Sequence, residues 1–254
     1  MPDLHVSALY FTITSEGIVE YRDPEPMRFE NHLGEFDLSE KGLKIVPSEH
    51  FSDQQSALHA IEPFLKSWEI ESDLTSNIGT IRFKFENSEV IDRDPPKLGV
   101  AITGNLQAGS AIVLGCGATI TSVRSVFPDP PGNFGTSQNV EMAYRRWLGF
   151  KKNNEPLQSM AYFVLTILQE NAGGSRGAAR TYNIEPSVLK KTGELSSTKG
   201  DATTARKASA TSIGLSSIEK QWLEESVKKL IYQMGHYVSG GLPSKLKMED
   251  LPKL

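Results

Sequence analysis

Cysteine is nearly missing: Cys116 stands alone among 254 residues. A disulfide within the chain is therefore impossible, which fits a reducing, cytoplasmic setting. A thiolate zinc cluster is excluded as well, and no two of the histidines His5, His32, His50, His59 and His236 show the local spacing of a zinc site. Cys116 sits among small residues in Leu114-Gly-Cys-Gly-Ala118 with no base nearby in sequence, so a buried, inert thiol is expected. No window approaches the roughly 18 apolar residues of a membrane span. The first ten residues lack the basic run and apolar core of a secretion signal, so none is expected. The glycines of Gly99-Val-Ala-Ile-Thr-Gly104 and Gly115-Cys-Gly117 match neither a Walker loop nor a dinucleotide fingerprint. They read as turns or bulges, and no cofactor is expected.

What is present is a globular composition, 38% hydrophobic and 23% charged, so a packed core is expected. The net charge of −4 conceals an asymmetry. Residues 1–135 hold 20 Asp/Glu against 10 Lys/Arg, and residues 136–254 hold 11 against 17. Separate units with different partners would produce such a split, and so would two halves that attract each other.

The acidic half reads as strands. Val6–Thr14 alternates, Ser15-Glu-Gly17 reads as a turn, and Ile18–Tyr21 would complete a hairpin. Met27–Phe29 and Leu43–Val46 are shorter candidates. Ser52-Asp-Gln-Gln55 predicts a capping box, followed by Leu58, Ile61, Leu65 and Trp68 at helical spacing. Pro63 falls inside that pattern and should kink or shorten the helix. Ile81, Phe83 and Phe85 then alternate with Thr80, Arg82, Lys84 and Glu86, one face buried and one wet. Gly99–Thr103, Ala111–Leu114 and Ala118–Phe127 are further strands. Asp129-Pro-Pro-Gly132 with Asn133–Ser137 reads as a linker.

The basic half reads as helices. Val140, Ala143, Tyr144, Trp147 and Leu148 form one stripe, ended by Gly149; Leu157, Met160, Ala161, Val164, Leu165 and Leu168 form a second, stopped by Asn171-Ala-Gly-Gly174. A short helix over Arg176–Tyr182 follows, then one with Pro186 at its first position. Ser196–Ser212 lacks hydrophobic periodicity and reads as a mobile loop. Ser216-Ser-Ile-Glu219 is a capping box opening the longest helix, with Ile218, Trp222, Val227, Leu230, Ile231, Met234 and Val238 inward. The predicted architecture is thus an α+β chain in two parts. An antiparallel β-rich domain with one helix (1–132) precedes an all-α helical bundle (138–241) and a flexible tail (242–254).

The order of helices, with Tyr144-Arg-Arg-Trp-Leu-Gly-Phe-Lys151, Glu155-Pro-Leu157 and Met160-Ala-Tyr-Phe-Val-Leu-Thr-Ile-Leu-Gln169, resembles the HEPN helical domain over residues 138–238. Its ribonuclease members carry an Arg, a few variable positions, then a His near the start of the last helix. Here His236 lies at the end of that helix with no arginine shortly before it, and Arg28-Phe-Glu-Asn-His32 has too short a gap and lies in the other half. The resemblance implies a non-catalytic member of binding or scaffold type. A divergent ribonuclease using Arg206 and His236 is the enzyme alternative. The chain also resembles, without a motif, bacterial accessory proteins of methylamine-utilisation gene clusters.

One set of residues suggests chemistry: Arg176, Arg180, Lys190, Lys191, Lys199, Arg206 and Lys207, spanning the short helices and the loop. Cations beside small residues and hydroxyls suit phosphate. The partner expected is anionic: nucleic acid, a nucleotide or an acidic protein surface. Only Tyr182 is close enough in sequence to act as a stacking platform for single strands. The pair in Asp92-Arg-Asp94 reads as a solvated turn rather than an acid/base site. A small-molecule pocket around Cys116 is a third alternative.

Overall fold

The computed structural model describes residues 3–15, 19–76, 79–94, 122–198 and 214–254. The chain is of mixed α+β type and divides into two compact units, Met1–Pro130 and Pro131–Leu254.

In the first unit, strands β1 (Leu4–Thr14), β3 (Met27–Asn31), β4 (Gly34–Ser39), β5 (Gly42–Pro47) and β6 (Arg82–Asp92) form an antiparallel sheet of order β3-β4-β5-β1-β6. Helix α1 (Gln54–Thr75) covers one face. Alternation puts Phe36 and Leu38 of β4 and Leu43 and Ile45 of β5 on that face, where they meet Ile61, Leu65 and Trp68. Fully burying a side chain of this kind is worth roughly 1.5–3 kcal/mol, so this one-sided core holds the sheet together.

The expected β1–β2 hairpin does not form. β1 takes β5 and β6 as neighbours, while β2 (Val19–Tyr21) pairs in parallel with β7 (Ser122–Arg124). The helix N-cap is Asp53, whose carboxylate accepts from the Ser56 amide at 2.9 Å, rather than Ser52. Pro63 does not end α1, which runs on for three turns; within it the Ser67 hydroxyl donates to the Pro63 carbonyl. Thr80 and Arg82 do not face water: Thr80 is fully buried and Arg82 binds the buried Asp73. The candidate strands at 99–103 and 111–114, like Cys116, lie outside the described residues.

The second unit holds α2 (Gln138–Lys151), α3 (Leu157–Asn171), α4 (Ser175–Thr181), α5 (Pro186–Ser197) and α6 (Ser217–Val238). α3, the most apolar of the five, packs against each of the others. Its Met160, Ala161, Val164 and Leu168 are fully buried, as are Val188 of α5 and Trp222, Val227 and Leu230 of α6. Buried polar contacts sit among them: the Thr192 and Ser226 hydroxyls meet at 2.7 Å, and the Gln158 side-chain amide donates to the Leu195 carbonyl at 2.8 Å. Pro186 takes the first position of α5, and Ser216 and Glu219 form the capping box of α6, both as the sequence predicts. α2 continues past Gly149 to Lys151, and Ile218 is 54% exposed rather than inward.

Two further expectations are corrected here. Phe134, read as linker, is buried against Tyr232, and the Gly135 amide donates to the Gly235 carbonyl. The segment after Leu242, read as a flexible tail, is tied down. Leu246 bridges Ile184 in parallel; its carbonyl accepts from the Glu185 amide and its amide donates to Asn183. Leu246 and Leu251 are buried, and this apolar anchoring is what the polar-looking tail conceals in sequence.

Candidate functional site

Arg176 and Arg180 stand one turn apart on α4 and so share a face; both are exposed. α4 ends at Thr181, and Asn183, in the left-handed region at φ 51°, turns the chain into α5. The apolar face of α5 (Val188, Leu189, Thr192, Leu195) turns inward, which leaves Lys190 exposed. Lys191 is half-buried, and its ammonium pairs with Glu194 at 2.9 Å. Lys199, Arg206 and Lys207 lie outside the described residues.

Among the described residues Arg176, Arg180 and Lys190 form no ion pair, whereas other cations of this unit do. Arg145 pairs with Glu141 at 3.1 Å, Arg146 with Glu155 at 3.0 Å, and Lys151 with Glu224 at 2.6 Å. Arg146 also lies over the Phe163 ring. These latter cations are thus engaged within the fold.

Two cations were not singled out in the sequence. The Leu246 bridge places Lys245 and Lys247 beside the α4–α5 turn. The Glu185 carboxylate there accepts from the Met248 amide at 3.0 Å, and this bond, with the charges of Lys245 and Lys247, holds Glu185 below the usual carboxylate range. Lys247 pairs with Glu249 at 2.9 Å, while Lys245 is exposed. The signal was the alternation Lys245-Leu246-Lys247, one buried residue between two exposed ones, in a stretch too short to read as a strand.

Tyr182 offers no stacking face: it is 6% exposed and packs edge-on against Tyr237. His236 stands in the last turn of α6 against Tyr232, and burial lowers its pKa. Among the described residues no group of three His, Cys, Asp or Glu side chains could hold a metal ion, and no helix is long and apolar enough to cross a membrane.

In the first unit, Asp92 spends Oδ1 on the amides of Asp3 and Asp94. His5, 7% exposed, stacks on His50 with ring centroids 5.1 Å apart, and its Nδ1 has no partner. Burial, then Arg93 and His50, hold its pKa below the ordinary 6.5, against the opposing charge of Asp3. The unfolded chain therefore takes up the proton first. The stability contributed by neutral His5 is complete above about pH 6.5 and is lost as pH falls from there toward the folded value. His5→Phe should flatten part of the fall in urea midpoint between pH 7 and 5; an unchanged profile would show that His5 does not contribute.

At one corner of the second unit the end of α2 and the starts of α3 and α6 border a half-open cavity of about 590 Å³, lined by Phe150, Pro156, Leu157, Leu215, Lys220 and Glu224 among others. Compared with known families, curated proteins and solved structures, the chain matches none.

Proposed function

We propose that this chain is a non-catalytic interaction protein in two parts, whose basic helical half, of HEPN type, binds an anionic partner. What carries the reading is a set of exposed cations on the two helices that flank one turn, three of them without an ion pair among the described residues. Arg176 and Arg180 precede it, Lys190 follows it, and the Leu246 bridge adds Lys245. Cations already neutralised by Glu neighbours would have to break those pairs to bind phosphate or carboxylate; Arg176, Arg180 and Lys190 would not, and Lys245 would share its charge with the Glu185 carboxylate. Lys191 could exchange Glu194 for a partner at small cost, because a surface ion pair is worth only about 0–1 kcal/mol. The burial of Tyr182 argues against stacked single strands and favours partners read by backbone charge: duplex RNA, a nucleotide or an acidic protein surface.

The test is a titration of the full chain with duplex RNA, ATP and polyglutamate at several salt concentrations. Binding to at least one is expected to weaken steeply with salt. If the partner is duplex nucleic acid, the double variant Arg176→Glu/Arg180→Glu should lower the log–log salt slope by roughly 0.9 for each phosphate it no longer neutralises. Absent or salt-independent binding, or an unaffected double variant, would overturn the reading. Cleavage of the RNA that depends on Arg206 and His236 would replace it with a divergent ribonuclease.

A further inference from the structure

We propose that the cavity at the α2–α3–α6 corner is a ligand site for a small amphipathic anion, an apolar body carrying one carboxylate or phosphate group. The size supports a small molecule: about 590 Å³ lies within the roughly 300–1,000 Å³ typical of ligand pockets. The walls fix the body of the ligand. Phe150, Pro156, Leu157 and Leu215 present hydrocarbon, and their faces turned into the cavity are not consumed by the core that α3 forms with its neighbours.

Charge fixes the head. Two ionisable groups line the cavity, Lys220 and Glu224. Glu224 is held by Lys151 at 2.6 Å, so its charge is largely compensated from the α2 side. Lys220 is exposed and forms no ion pair among the described residues. A ligand entering from solvent therefore meets one uncompensated positive charge at the mouth and apolar surface behind it. The start of α3 works in the same direction. Pro156 gives it no side-chain cap and its first turn holds no acidic residue, whereas the first turn of α6 is closed by Ser216 and Glu219.

This site is distinct from the cationic turn between α4 and α5, so the two proposals fail separately. The experiment is calorimetric titration of the full chain with decanoate and decyl phosphate below their micelle concentrations, against decanol and decyltrimethylammonium. One molecule of either anion is expected to bind per chain, with decanol weaker and the cation not binding. Lys220→Met should weaken decanoate about fivefold, the worth of one surface charge pair near 1 kcal/mol, and leave decanol unchanged. Leu157→Trp, which fills the cavity, should weaken both at least about tenfold. Should that variant fold poorly, Gln221→Trp at the exposed mouth gives the same reading without touching the core. No heat with either anion at millimolar concentration, an equal effect of Lys220→Met on decanoate and decanol, or binding that survives both tryptophan variants would overturn the proposal.

Discussion

Asp73→Ala is expected to cost the first unit about 3–5 kcal/mol, the loss that follows when one partner of a buried ion pair is removed. Asp73 lies near the end of α1, is 1% exposed, and is saturated with donors. Its Oδ2 takes Arg82 Nη2 at 2.7 Å; its Oδ1 takes Arg82 Nη1 at 3.2 Å and the amides of Gly79 and Thr80 at 2.9 and 3.3 Å. This carboxylate, together with Glu69, which accepts from the Phe83 amide at 2.9 Å, ties the start of β6 to α1. Alanine takes from the Arg82 guanidinium, only 16% exposed, its two-point contact with the Asp73 carboxylate, and takes from the buried amides of Gly79 and Thr80 the oxygen they share. The damage should spread to β2, because the Thr80 carbonyl accepts from the Tyr21 hydroxyl at 2.9 Å. Burial of that phenol, opposed by Arg124, pushes its pKa up to about 12.

The decisive comparison is with Asp73→Leu/Arg82→Met. Removing both charges and refilling the space with hydrocarbon should recover much of the loss, since a buried pair adds little over apolar packing while half a pair costs a great deal. Native-state amide exchange of β1 would report the difference within the first unit alone. If Asp73→Ala changes protection there by less than about 1 kcal/mol, the anchor is not what holds β6 to α1.

Asp73 and Arg82 also show where sequence reading stopped. Thr80-Ile-Arg82 alternates correctly, and period two assigned Arg82 to water. Nothing local tells an exposed arginine from one that meets a carboxylate nine residues earlier on another element. The same limit explains β2. Its three residues follow a turn signal after β1, so a hairpin was the natural reading, yet its partner Ser122–Arg124 lies a hundred residues away. Signals fixed within one turn of chain were legible: the Ser216-Glu219 box, Pro186 at the head of α5, and the Asn171-Gly174 stop. Their physics is short-range.

The candidate site was legible in the same partial way. Composition marked the cationic segment, and the structure leaves Arg176, Arg180 and Lys190 exposed because Ala178, Val188 and Leu189 go in. Spacing could not show that Lys191 would meet Glu194, though the i,i+3 relation was there to be read. Nor could it bring Lys245 back to the α4–α5 turn, which depends on a bridge between residues 62 positions apart. The corner cavity was invisible, because Phe150, Leu157 and Leu215 are far apart in sequence and meet only where three helices leave a gap between them.

Gly34→Ala is the second change expected to be severe, and two separate effects set its size. Gly34 opens β4 opposite Asn31, across the two-residue turn His32-Leu33, with φ at 147°. That backbone conformation costs an L-residue about 1–3 kcal/mol whatever its surroundings. A methyl group there would also lie 2.1 Å from the Val46 carbonyl oxygen. The obstacle is backbone, and β5 cannot retreat because it is paired to β4 on one side and β1 on the other. Overpacking of this kind adds roughly 1–3 kcal/mol, so a total of about 3 kcal/mol or more is expected.

Gly173→Ala separates the two terms. Gly173 also has positive φ, at 72°, but nothing lies within 4 Å of its would-be methyl, so only a left-handed penalty of about 1–2 kcal/mol should appear. Denaturant midpoints of the two variants should therefore differ clearly, with Gly34→Ala the worse. Equal losses would mean that β5 yields to the methyl and that the β3–β4 turn is held less rigidly than its pairing to Pro47 and Val46 requires.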